Sequence, residues 1–159
     1  MPIYFLDTSA LAKLYHKEAG SEYMERIVKE PGSRCVISRL SIVELESVLA
    51  IKVRTGEIDA QQVEIARRCL RADLSQGRFL IGPPIKPSHL HTARILLAKY
   101  GADEGLRTLD ALQLAIALHL KQAGQITVLI TADQRLCRAA ALAGCPAVNP
   151  EKPGAVVVV

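Results

Sequence analysis

The 159-residue chain has the length and composition of a single globular domain. Half of its residues are hydrophobic, but only 4% are aromatic and none is Trp. This composition predicts an aliphatic core and excludes a site built mainly on stacking bases against aromatic rings. The net charge of +4 is a mild bias towards polyanions and does not by itself indicate nucleic-acid binding.

The cysteines and the apolar segments indicate where the protein resides. Cys35, Cys69, Cys137 and Cys145 form no C-x-x-C pair, which predicts buried, reduced thiols rather than a disulfide framework or a zinc site. The apolar start of the chain is too short for a signal peptide, and its most apolar predicted helix is about half the length of a membrane span. We therefore expect a cytoplasmic protein without a membrane segment.

The first half of the chain alternates short apolar strands with helices. Capping residues at 7–9, Pro31-Gly32 and Gly56 mark helix boundaries. The predicted elements are a strand at Ile3–Leu6, helices from Ser9 to Lys17 and from Ser21 to Lys29, a strand at Cys35–Ile37, a helix from Ser41 to Thr55 and a helix capped by Asp59.

The same alternation continues to the end. The predicted elements are a strand at Phe79–Ile81, a helix from Ser88 to Tyr100 ended by Gly101, a helix from Thr108 to Ala123, a strand at Ile126–Ile130, a helix ending at Gly144 and an edge strand at Ala147–Val148. Strands and helices that alternate with short links predict an α/β fold with a parallel central sheet.

Four acidic residues stand at predicted helix starts, and each has a structural explanation. Asp7 and Asp133 fit N-caps, and Glu44 fits a capping box with Ser41. Asp110 complements the positive end of a helix dipole. Taken singly, each is better explained as a structural residue.

Two features favour a shared functional site instead. Asp7 and Asp133 both follow predicted strands, and ligands of open parallel sheets bind outside the carboxyl ends of the strands. Phosphodiester hydrolysis assisted by metal ions needs several hard oxygen ligands from different segments, since Mg²⁺ and Mn²⁺ prefer oxygen. The four acids would meet that need if the fold brings them together.

Four ordered segments resemble the acidic motifs of PIN-domain proteins, and the VapC-type toxins of toxin–antitoxin pairs are the most similar subgroup. The resemblance extends from Ile3 to about Pro150, and the ordered set of four is more specific than any one motif. The segments are Phe5 to Leu11, Ser41 to Leu45, Leu106 to Ala115 and Leu129 to Leu136.

The resemblance implies a three-layer α/β/α sandwich with a central, mostly parallel sheet. It also implies a divalent-metal endoribonuclease, usually dimeric and inhibited by a cognate antitoxin, that uses Mg²⁺ or Mn²⁺ and metal-activated water to cut RNA. The number of ions stays open. The residues that match the family's catalytic and metal-site acids are Asp7, Glu44, Asp110 and Asp133.

Two small polar residues accompany these acids. By the same resemblance, Ser9 supports Asp7, and Thr131 does likewise for Asp133, although both are equally compatible with turn residues. We assign residues 1–150 to the nuclease domain and residues 151–159 to a C-terminal tail. The tail departs from the family's usual ending, and a disordered end, an added edge strand and a partner-binding strand are all compatible with it.

Other classes fit less well. An aspartate-nucleophile phosphatase would need an acid at position 9, where this chain has Ser. No H-E-x-x-H pair, nucleophile elbow or glycine-rich phosphate loop occurs. The main alternative is a catalytically silent PIN-like module that binds RNA or protein. Its mark would be the loss of a site acid, and all four are present.

Overall fold

The computed structural model describes residues 1–154. Within these residues, five strands form one sheet and seven α helices cover it. The elements are β1 (Ile3–Leu6), α1 (Thr8–Leu11), α2 (Ser21–Lys29), β2 (Arg34–Ile37), α3 (Arg39–Arg54), α4 (Ala60–Ser75), β3 (Phe79–Ile81), α5 (Pro87–Glu104), α6 (Thr108–Gln122), β4 (Val128–Ile130), α7 (Gln134–Leu142) and β5 (Ala147–Val148).

The sheet has the order β3-β2-β1-β4-β5, and all four strand pairs are parallel. The first strand of the chain is therefore the central one, with Phe5 opposite Val36 on one side and Leu129 on the other. This arrangement confirms the predicted α/β fold, and it aligns the carboxyl ends of all strands along one edge.

Alternating strand residues divide the core into two layers. Phe5 and Leu129 pack with residues of α5, α6 and α7, whereas Leu6 and Ile130 pack with residues of α1, α2, α3 and α4. All four strand side chains are fully buried. A strand that is apolar on both faces requires helices on both faces, so the predicted three-layer sandwich is confirmed.

The start of α3 corrects the predicted capping box. Ser38, the residue directly after β2, is the N-cap and accepts the backbone N–H of Ser41 at 3.0 Å. Ser41 is already helical, so the helix begins at Arg39 rather than at Ser41. Glu44 consequently lies in the second turn, where its side chain faces the interior instead of the Ser41 amide.

Two other helices differ in length from their predictions. The first helix ends at Leu11 and is followed by a 3-10 turn over Ala12–Leu14 rather than continuing to Lys17. The helix predicted to stop at Gly101 continues to Glu104. It ends where Gly105 adopts a φ of +70°, the left-handed conformation that favours glycine at a helix C-terminus.

The thiols agree with the prediction at three of four positions. Cys35, Cys137 and Cys145 are buried and free, but Cys69 is exposed on α4, so its predicted burial was wrong. Across residues 1–154, no helix is long and apolar enough to cross a membrane.

The segment assigned to the tail begins with a contact to the domain. Glu151 accepts a hydrogen bond from the buried ammonium of Lys13 at 2.7 Å, and Lys13 also pairs with Glu18 at 3.2 Å. The predicted alternatives for the tail concern residues 151–159, of which 155–159 lie outside the described residues.

Candidate active site

The four acids come from four elements at the carboxyl edge of the sheet. Asp7 directly follows the central strand β1, and Asp133 lies three residues after the end of the neighbouring strand β4. Glu44 is in the second turn of α3, the helix that follows β2, and Asp110 is in the first turn of α6. The topology thus places all four near one edge, as the sequence predicted for Asp7 and Asp133.

Asp7 is the most buried of the four, with 4% of its surface exposed. Its Oδ2 accepts hydrogen bonds from the Ser9 hydroxyl at 2.8 Å and the Thr131 hydroxyl at 3.0 Å. Burial raises the pKa of Asp7, and the two hydroxyl donors offset part of that effect. The Ser9 hydroxyl therefore contacts Asp7, the acid that the sequence analysis expects it to support. Thr131 contacts Asp7 too, and of Asp133 it contacts only the backbone N–H, at 3.1 Å.

Glu44 is half-buried and held through one oxygen. Its Oε1 accepts from the Gln113 amide at 2.8 Å and from the Thr8 hydroxyl at 3.2 Å. Burial raises the pKa of Glu44, and the charge of Asp7 adds to that effect. The carboxylate is therefore oriented by neutral donors and lies within electrostatic reach of Asp7.

Asp110 and Asp133 share a cationic partner. The Arg107 guanidinium donates from Nε to Asp110 Oδ2 at 3.3 Å and from Nη2 to Asp133 Oδ2 at 3.0 Å. The other oxygen of Asp133, Oδ1, accepts the backbone N–H groups of Arg135 and Leu136 and caps α7. One cation therefore already bridges two of the four acids.

The charges of the acids act on one another. Burial, followed by the charges of Asp7 and Asp133, raises the pKa of Asp110 to about 6, although the guanidinium of Arg107 opposes the shift. Acids that raise one another's pKa form a region that attracts cations.

The donor set suits a hard divalent cation. Carboxylate oxygens are the ligands that Mg²⁺ and Mn²⁺ prefer, and the guanidinium of Arg107 occupies the position of a positive charge between two of them. Among the described residues, however, no three His, Cys, Asp or Glu side chains are grouped closely enough to hold an ion. The chemistry of the residues fits a divalent ion, whereas the spacing of the side chains fits Arg107.

Sequence reasoning did not single out three residues that contact the acids, namely Thr8, Arg107 and Gln113. The sequence carried a signal for Gln113, because it is a polar residue within the most apolar predicted helix, and the structure buries it fully. Thr8 and Arg107 carried none, since a Thr after a strand and an Arg before a helix are common surface residues.

Comparison with known proteins identifies similar sequences and folds. A family model for the PIN domain matches residues 4–142. No curated protein matches the chain. Among solved structures, PAE2754 from Pyrobaculum aerophilum is 25% identical, with a TM-score of 0.52 and coverage of 87% of this chain and 79% of that chain.

Two further structures are similar in fold. VapBC2 from Rickettsia felis, bound to a DNA fragment from its promoter, includes a chain that is 17% identical, with a TM-score of 0.56 and coverage of 92% of this chain and 98% of that one. FitAcB from Neisseria gonorrhoeae is 16% identical, with a TM-score of 0.54 and coverage of 92% and 97%.

Proposed function

Because this chain belongs to the PIN-domain family, whose members are nucleases, we propose that it is a divalent-metal-dependent endoribonuclease. In this proposal Asp7, Glu44, Asp110 and Asp133 hold Mg²⁺ or Mn²⁺ and form the catalytic site. The observation that carries it is the placement of four acids from four elements at one edge of the sheet, where Arg107 bridges Asp110 and Asp133 and the charge of Asp7 acts on both Glu44 and Asp110. The domain would comprise residues 1–150, with 151–159 as its tail.

The chain's own residues prepare the acids for this role. Ser9 and Thr131 fix one oxygen of Asp7, and Thr8 and Gln113 fix one oxygen of Glu44. Hydrogen bonds of this kind orient ligands before an ion arrives. When bound, the ion supplies Lewis acidity that stabilises the negative charge developing on the phosphate oxygens during hydrolysis.

Arg107 has a second consequence for the proposed site. Its guanidinium must leave Asp110 and Asp133 before an ion can use the oxygens that it now contacts. The side chain is 67% exposed, so it can rotate into solvent without disturbing the core. Arg107 would therefore compete with an ion for these two carboxylates.

We also propose that the protein is the toxin of a type II toxin–antitoxin pair and forms a homodimer in the cytoplasm. The support is the similarity of its fold to that of VapBC2, whose complex is bound to promoter DNA, and to that of FitAcB. A basic side chain of a cognate antitoxin would compete for the acids in the way that Arg107 does.

The nuclease proposal is tested on protein purified free of any bound partner. We expect cleavage of some members of a panel of tRNAs and rRNA fragments with Mg²⁺ or Mn²⁺, and no cleavage with EDTA. Asp7→Asn should reduce the rate at least a hundredfold, since a fixed ligand is lost, and Asp59→Asn, at the α4 N-cap, should not.

The main alternative function, a silent PIN-like module, predicts a different result. It would leave the whole panel intact under every metal condition while still binding RNA or protein. Equal cleavage by the parent and Asp7→Asn would instead indicate a contaminating nuclease and remove the support for this site.

A further inference from the structure

Gln113 is a buried polar side chain in the first half of α6, where most of its neighbours are apolar. Its exposed fraction is 0%, and the residues that follow it, Leu114 to Ala117, are buried aliphatics. Burying an amide is costly unless its donors and acceptor are bonded, so the partners of Gln113 indicate why the residue is there.

The amide is bonded at both ends. Ser38 Oγ accepts the Ser41 backbone N–H and donates its own proton to Gln113 Oε1 at 2.8 Å, which sets the orientation of the amide. Gln113 Nε2 then donates to Ser41 Oγ at 2.9 Å and to Glu44 Oε1 at 2.8 Å. These are the two shortest contacts of its two protons, and a longer one, of 3.3 Å, reaches the Thr8 hydroxyl oxygen.

Glu44 Oε1 receives a second donor from the same layer. The Thr8 hydroxyl donates to it at 3.2 Å, whereas no hydrogen bond to Oε2 occurs among the described residues. Hydrogen bonds from buried residues therefore fix Oε1. Oε2 is left for a partner in the cleft lined by Glu44, Arg107 and Asp110.

We propose that Gln113 is a positioning residue that fixes the Glu44 carboxylate for a divalent ion, a role that rests on the proposed function. The amide is neutral, so it orients Glu44 without cancelling its charge. Arg107 does the opposite at Asp110 and Asp133, where a cation neutralises the acids that it contacts. Gln113 also ties α6, which carries Asp110, to Glu44 on α3.

The test uses Gln113→Met, which keeps the side-chain volume and removes the hydrogen bonds. Mn²⁺ binding, measured by calorimetry on the full chain, should weaken about tenfold, the lower end of the effect of losing a ligand's hydrogen-bond partner. Ser41→Ala is the matched control, because it removes another bond of Gln113 but not the bond to Glu44. It should leave the Mn²⁺ affinity within about twofold of the parent.

A second readout distinguishes positioning from general stability. The side-chain N–H signals of Gln113 in an NMR spectrum, assigned by their loss in Gln113→Met, should shift when Mg²⁺ is added to the parent. They should not shift in Glu44→Gln, because the carboxylate that connects the amide to the ion is replaced. An amide with only a structural role would show the same change in its N–H signals on Mg²⁺ addition in the parent and in Glu44→Gln.

The outcomes separate this inference from the proposed function. A parent that binds no Mn²⁺ would overturn the metal site and this inference with it. A parent that binds Mn²⁺, together with unchanged affinity in Gln113→Met, would overturn the positioning role alone. If Gln113→Met does not fold, Thr8→Val removes the other donor to Glu44 and should weaken binding in the same direction; unchanged binding would again overturn the role.

Discussion

At the scale of single residues, the two oxygens of one carboxylate have separate partners. Asp133 caps α7 with Oδ1 and contacts the Arg107 guanidinium with Oδ2, so helix capping and cation binding occur together in one residue. Asp7 is also an N-cap by position, yet its side chain makes no capping hydrogen bond and points to Ser9 and Thr131. Helix capping alone therefore explains the contacts of neither Asp7 nor Asp133.

Arg107 provides a prediction at this scale. Replacing it by Gln removes the cation that competes for Asp110 and Asp133, and Mn²⁺ binding to the full chain should tighten. Because exposed ion pairs contribute about 0.2 to 1 kcal/mol, we expect a gain of about 1.4- to fivefold in affinity, measured by calorimetry at low salt.

Arg138→Gln is the matched control for that change. Arg138 is 69% exposed and pairs with Glu104 at 3.1 Å. Its replacement by Gln therefore removes the same charge and the same kind of ion pair at a position away from the four acids. Equal effects of the two substitutions would mean that net charge, rather than competition by Arg107, sets the affinity.

At the scale of elements, the link between α5 and α6 determines where Arg107 and Asp110 lie. Gly105 ends α5 with a φ of +70°, and a Cβ there would come within 3.2 Å of the Arg135 side chain, which belongs to α7. Gly77 ends α4 with the same φ, but a Cβ there would contact nothing within 4 Å. A comparison of substitutions at Gly105 and Gly77 therefore separates the effect of backbone strain from the effect of packing at the link between α5 and α6.

We therefore expect Gly105→Ala and Gly77→Ala to lose similar stability and to differ in ion binding. Each should lower the free energy of unfolding by about 1 to 2 kcal/mol in urea titrations, the cost of the left-handed conformation for a residue with Cβ. Only Gly105→Ala should weaken Mn²⁺ binding, because only it shifts the link. Unchanged binding would show that the link does not control the site.

The element types were predictable because periodicity and strand composition are local properties. The boundaries were less so. Ser38 and Ser41 are equally good caps by residue type, and only the end of β2 at Ile37 selects Ser38. Gly101 and Gly105 are equally suited by residue type to end α5. Only the direction in which the chain leaves the helix towards α6 selects Gly105. The edge that carries the acids followed from strand direction, whereas the contacts of Arg107 and Gln113 depend on distant elements that no local pattern describes.

At the scale of the whole molecule, the buried acids of the candidate site oppose folding at neutral pH. Burial raises the pKa of Asp7, Glu44 and Asp110, so the folded state holds protons more tightly than the unfolded chain does. Such groups stabilise the fold at low pH, and the contribution is lost as pH rises through their folded pKa values. For Asp110, this window extends from its ordinary value of 3.8 to about 6.

Asp110→Asn tests this effect by removing the charge while keeping the shape. Without metal, its melting temperature relative to the parent should increase from pH 4 to about pH 6 and stay constant above that, with the variant equal or higher at neutral pH. Added Mg²⁺ should stabilise the parent by mass action and the variant much less. A variant that is less stable at neutral pH and gains as much from Mg²⁺ would indicate a structural carboxylate.

The strand order also determines when the site can exist during synthesis. β1 is made first, but its neighbour β4 ends at Ile130, and the hydroxyl that holds Asp7 belongs to Thr131. Local contacts cannot replace this parallel pairing, because it joins segments more than a hundred residues apart. A ribosome that translates this chain therefore carries an incomplete version of the proposed site until Thr131 and Asp133 have emerged.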